Sequence, residues 1–123
     1  MLKDRLVGTL ELVNLETRRA DGQVLHPYGK DVVGSFMFGP DGNYSVQLMG
    51  TEYMATWGTY VVDEDQQTFT LTVRGALDRS VIGTQILRHV NWGDDVAVFN
   101  TPTHEVDGVE AVTYITWRKV TPS

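Results

Sequence analysis

The chain has no cysteine among its 123 residues, which excludes disulfide frameworks and thiol chemistry. It has no long apolar run either. No segment approaches the ~20 apolar residues that cross a membrane as a helix. The opening Met1-Leu2-Lys3-Asp4-Arg5-Leu6-Val7-Gly8 interrupts its apolar residues with charges, unlike a secretory leader. Together these absences give the expectation of a cytoplasmic protein with no membrane partner. Basic residues are few: 10 Lys and Arg stand against 16 Asp and Glu, for a net charge of −6. Only Arg18-Arg19 and Arg118-Lys119 are adjacent basic pairs. The basic patch that nucleic-acid binding requires is missing, and the acidity favours solubility. There is no Gly-x-Ser-x-Gly elbow, P-loop or Gly-x-Gly-x-x-Gly. The three histidines, His26, His89 and His104, lack metal-ligand spacing, so neither metal nor cofactor is expected. No stretch has convincing helical periodicity; a single turn near Ala76 to Ser80 is the best candidate.

What is present is a rhythm of six- to ten-residue runs rich in Val, Ile, Thr, Tyr and Phe, separated by turn residues. It predicts strands over 7–18, 22–27, 33–39, 43–50, 54–63, 67–74, 81–90, 95–101 and 110–119. The intervening turns are mostly short, so consecutive strands are antiparallel neighbours in a meander. A meander of eight or nine strands removes its exposed edges by closing. The expected fold is an all-β, antiparallel up-and-down barrel, a single domain over residues 1–123. A barrel of about eight strands either fills with side chains or holds one small ligand.

The best-defined hairpin is centred on Pro40-Asp41-Gly42. Proline presets φ at the first turn position and Gly42 can take the left-handed conformation of a bulged turn. Pairing Gly39 with Asn43 sets Phe38 opposite Tyr44, Phe36 opposite Val46 and Gly34 opposite Leu48. That face is apolar and points inward, because a one-residue slip would exchange it for Ser35, Met37, Ser45, Gln47 and Met49. In Thr68-Phe69-Thr70-Leu71-Thr72-Val73 the apolar residues again point in. The strands at 54–62 and 81–90 are apolar on both faces, which points either to a covered outer surface, most simply a homodimer, or to a wedge-shaped barrel whose outer face is merely less polar than average.

These pieces, in this order, resemble the lipocalin-like domain family, small stand-alone barrels of the calycin group. The resemblance runs through Leu6-Val7-Gly8-Thr9-Leu10-Glu11-Leu12-Val13, His26-Pro27-Tyr28-Gly29-Lys30-Asp31-Val32-Val33-Gly34 and Pro40-Asp41-Gly42 with Ser45-Val46-Gln47-Leu48-Met49. It continues through Gly58-Thr59-Tyr60-Val61-Val62-Asp63, Val81-Ile82-Gly83-Thr84-Gln85 with Arg88, and Trp117-Arg118. Leu10 stands where the family usually has a tryptophan that plugs one barrel end. Leu71 and Thr72 stand where it often has histidine. The resemblance implies a barrel with a cavity and no fixed reaction. Some barrels of this kind fold a reactive natural-product intermediate without a cofactor.

The candidate ligand-binding residues are Phe36, Phe38, Val46, Leu48, Trp57, Phe69, Leu71 and Tyr114. Trp57 stacks on a flat ligand or is ordinary core. The candidate catalytic residues are Arg88, His26 and Tyr44. Of Arg88 and His89 only one faces inward; an inward Arg88 would hold a carboxylate or enolate oxygen, and an outward one pairs with a surface acid. His26 shuttles a proton at the mouth or is a plain loop side chain. Tyr44 donates to a ligand carbonyl or packs in the core. Asp63-Glu64-Asp65 is read as a solvated turn, and His104-Glu105 as part of a lid loop. The functional expectation is a barrel that binds a small hydrophobic or aromatic ligand and acts as a cofactor-free cyclase or isomerase on a polyketide-like intermediate. The alternatives are a non-catalytic carrier and a filled barrel serving only for interaction.

Overall fold

A computed structural model describes residues 1–120. Nine predicted strand runs appear at or near their expected places, and a tenth short strand joins them. They are β1 (Gly8–Arg19), β2 (Val24–Leu25), β3 (Val33–Phe38), β4 (Asn43–Met49), β5 (Tyr53–Asp63), β6 (Thr68–Ala76), β7 (Gln85–Trp92), β8 (Val96–Asn100), β9 (His104–Val106) and β10 (Val109–Lys119). Every pairing is antiparallel, and β1 pairs with β10 as well as β3, which closes the sheet. Eight strands form the closed barrel; β2 and β9 are short additions at one rim. Among the described residues no helix is long and apolar enough to cross a membrane.

The β3–β4 hairpin has the register its sequence dictates: Phe38 faces Tyr44, Phe36 faces Val46 and Gly34 faces Leu48. Gly42 has φ +88°, Gly39 N–H donates to Asn43 O at 2.7 Å, and Tyr60 Oη donates to Gly39 O at 2.6 Å. Phe36 stacks on Phe38 at 4.2 Å. Phe69 meets Phe38 edge-on at 5.2 Å and Phe99 at 4.9 Å. Offset and edge-to-face arrangements suit the ring quadrupoles. These rings are all buried and fill one half of the barrel interior.

Three expectations need correction. First, there is a helix, α1 (Leu2–Leu6). Its apolar residues Leu2 and Leu6 are too few for a periodicity to be read, yet both are buried against the barrel end. The helix is held from outside its own segment. Glu64 accepts hydrogen bonds from Leu2 N–H at 2.7 Å and Lys3 N–H at 3.2 Å, so this residue of the supposed solvated turn caps the N-terminus. Lys119 Nζ donates to the carbonyls of Arg5, at 2.8 Å, and Val7 at the other end. Arg5 also lies over the Trp92 ring at 4.5 Å. The helix thus closes the barrel end at which Leu10 is fully buried.

Second, residues 81–84 are not strand. Asp78 caps a 3-10 turn at Arg79–Val81, accepting from Ser80 N–H at 3.0 Å, and β7 starts only at Gln85. Third, the outer apolar surface is concentrated on β3, β4 and β5. On β7 only Leu87 faces outward as an apolar residue, between Gln85 and His89.

Truncating the helix side of the plug is expected to weaken the whole fold. Leu6→Ala should lower unfolding stability by about 2–5 kcal/mol, as for other fully buried leucines, with an unchanged β-type circular dichroism spectrum. Urea unfolding of the variant against the parent measures this.

Candidate functional site

The half of the barrel away from α1 is open. Alternation along β7 turns Ile86, Arg88 and Val90 inward and sends His89 out, which resolves the choice between Arg88 and His89. Along β10 it turns Thr113, Ile115 and Trp117 inward and Tyr114 outward. On β5, Met54, Thr56 and Tyr60 face in. Above the aromatic cluster these strands enclose a chamber of about 320 Å³, walled by Phe36, Val46, Leu71, Phe99, Ile115 and Trp117. It opens into a vestibule of about 540 Å³ bordered by Leu15, Pro27, Thr101 to His104 and Thr113. Tyr28, Leu48, Met54, Arg88 and Ile115 line both spaces and form the neck between them.

The neck depends on a loop crossing. Tyr28 O accepts from Thr51 N–H at 2.9 Å, bringing the 26–29 loop over the β4–β5 turn. A Cβ at Gly50 would lie 2.0 Å from Tyr28 O, so only glycine admits this approach. Burial, and to a lesser degree Glu52, raise the Tyr28 pKa, and the phenol is a neutral donor at neutral pH. Burial likewise raises the Tyr44 pKa, while its hydroxyl donates to Thr56 Oγ1 at 3.2 Å. Arg88 Nη1 donates to Leu87 O at 2.9 Å. Desolvation lowers the Arg88 pKa, but a guanidinium remains charged at neutral pH. Neither the chamber nor the vestibule has an Asp or Glu in its wall.

Of the residues singled out from sequence, Phe36, Val46, Leu48, Leu71 and Arg88 line the chamber together. Phe38, Phe69 and Tyr44 are inside, but they belong to the packed half beneath it. Three other singled-out residues line neither space. Trp57 is outside and 56% exposed, with its indole lying over Gly75, its cross-strand partner. An aromatic ring shielding a facing glycine accounts for that position. Tyr114 is also outside, under the Arg18 guanidinium at 4.7 Å. His26 is half-buried and lines neither space, although its neighbour Pro27 borders the vestibule. Sequence reading missed Met54, Ile86, Ile115 and Trp117 as wall residues and Tyr28 at the neck. The period-2 pattern at 109–119 held the signal for Ile115 and Trp117.

The sequence profile of the lipocalin-like domain matches residues 7–52 and 49–120. The chain belongs to the lipocalin-like domain family. Among solved structures, an uncharacterized protein from Bacteroides eggerthii DSM 20697 aligns over 94% of this chain and 99% of its own, with a TM-score of 0.52 and 15% identity. That likeness is one of fold. No curated protein matches the chain. Family membership agrees with the closed barrel and the apolar chamber; which molecule the chamber takes rests on its wall.

Tryptophan fluorescence separates the inside from the outside. A ligand entering the chamber should perturb Trp117, so Trp117→Phe should remove most of the ligand-dependent emission change. Trp57→Phe should retain it, since Trp57 is on the outer face.

Proposed function

We propose that this lipocalin-like barrel binds one small, largely apolar molecule in its upper half. The observation that carries the reading is the chamber of about 320 Å³ and its open vestibule, left in a barrel whose other half is packed solid with aromatic rings. Ligand sites generally begin near ~300 Å³ and are apolar with a few placed polar groups. A barrel serving only as an interaction module has no need of such a space. The neutral fluorophore N-phenyl-1-naphthylamine tests the reading, because its emission rises in apolar enclosures. It should bind the parent protein, and Ile86→Trp, which puts an indole into the chamber, should weaken binding by about tenfold or more, roughly 1.4 kcal/mol. Equal binding by the variant would move the site elsewhere.

A second reading, a cofactor-free cyclase or isomerase for a polyketide-like intermediate, is favoured by the paired donors at the neck. Arg88 and Tyr28 would stabilise negative charge developing on a substrate oxygen. The apolar walls would hold a flexible chain in a reactive shape. Recovery of the bound molecule unchanged favours a carrier; recovery of a rearranged isomer favours the enzyme.

We also infer that a second copy of the chain covers the outer face of β3, β4 and β5. Val33, Met37, Met49, Tyr53, Trp57 and Val61 are exposed there. No outward position on these strands from Val33 to Val61 is charged. For a chain of net charge −6, this is where two copies meet without like-charge repulsion, and where a charged partner finds nothing to pair with. Light scattering at micromolar concentration should give the dimer mass, and Trp57→Glu should return it to the monomer.

A further inference from the structure

We propose that the ligand carries a planar, singly charged oxyanion, a carboxylate or enolate, and that Arg88 is the residue that recognises it. The inference rests on the cavity reading above and adds the chemistry of the ligand's head. Arg88 lies on β7 between inward-facing Ile86 and Val90, opposite Phe69. Its side chain borders both the chamber and the vestibule. None of the four ion pairs among the described residues includes it. Its one side-chain hydrogen bond among them goes to the carbonyl of its own neighbour, Leu87. A guanidinium has five N–H donors in a rigid fork, so most of its bonding capacity remains open toward the cavity.

Arg88 is half-buried at the neck, and a cation that gives up hydration against apolar walls is ordinarily matched with an acid. The acids of this chain outnumber its basic residues, yet none borders either space. Burial lowers the Arg88 pKa, and no carboxylate lines either space to offset that loss of hydration. The missing counter-charge is therefore the ligand's. A carboxylate fits because its two in-plane oxygens match the guanidinium fork, and an enolate fits as a single planar oxyanion that takes one charge-assisted N–H. Tyr28, a neutral donor lining the same neck, is available to the same head group.

The chamber also bounds the body of the ligand. An apolar cavity of about 150 Å³ holds one benzene. The 320 Å³ here accommodates about two rings beneath the head group. The ligand class is thus a bicyclic-sized apolar acid or enol, inserted body first.

The test compares 2-naphthoate with 2-naphthamide, which share the two-ring body and differ in charge. Titration calorimetry with the full chain should show the acid binding about 10–100-fold more tightly, the range of a charge-assisted hydrogen-bonded pair. Arg88→Gln should bring the two affinities together by weakening the acid far more than the amide, whose neutral carbonyl makes only an uncharged bond to the guanidinium. Arg88→Lys should restore part of the preference. Equal affinities in the parent protein, or a preference that survives Arg88→Gln, would overturn the inference while the amide's binding upholds the cavity reading. Failure of both compounds to bind the parent at millimolar concentration would overturn both. If Arg88→Gln does not fold, the parent's own acid-to-amide ratio still decides.

Discussion

The structure depends on how far aromatic packing fills a barrel of set width. Eight closed strands enclose an interior that side chains can just occupy. Phe36, Phe38, Phe69 and Phe99 occupy one half, with ring centroids 4.2–5.2 Å apart along the chain of contacts. The other half is walled by smaller or retracted side chains such as Val46, Leu71 and Ile86, and stays open. The rings therefore make both the core and the chamber floor. The stability of the fold and the shape of the site are consequences of one cluster.

The two barrel ends are treated by different means. At the packed end, a five-residue helix too short to be stable alone is pinned by Glu64 at one terminus and Lys119 at the other, with Leu2 and Leu6 as the plug. At the open end, irregular backbone predominates: the 26–32 loop, the turn at Arg79–Val81 and the segment before β9. Loops on a rigid barrel are where binding groups and access are varied without loss of the scaffold. The polarity of the molecule, closed below and open above, directs a ligand to the neck where Arg88 stands.

Arg88 links the electrostatics to the proposed function. The protein's acids lie on the outside, where Glu16 and Asp21 are matched with Arg18 and Arg19. Arg88, turned inward, has no such match among the described residues. Its orientation follows from strand parity alone, since His89 beside it must face out once Val90 is core. A single alternation thereby decides whether the cavity is neutral or cationic.

The sequence by itself determined the strand class, most strand positions, the β3–β4 register and the apolar identity of the chamber wall. Those follow from local chemistry: turn residues, β-branched runs and period-2 alternation. Five of the singled-out residues, Phe36, Val46, Leu48, Leu71 and Arg88, reached the chamber because their strands alternate cleanly or because their parity had two options, one of which was right. Tertiary structure alone decided the rest. Trp57 sits in a strand apolar on both faces, and only the β4–β5 register, which sets it opposite outward-facing Ser45, put its ring outside. Helix α1 draws its caps from residues 61 or more positions away, so no local window contains its cause. Tyr28 reaches the neck only because Gly50 lets two loops cross. Local pattern specifies which face a side chain prefers; long-range closure specifies what that face meets.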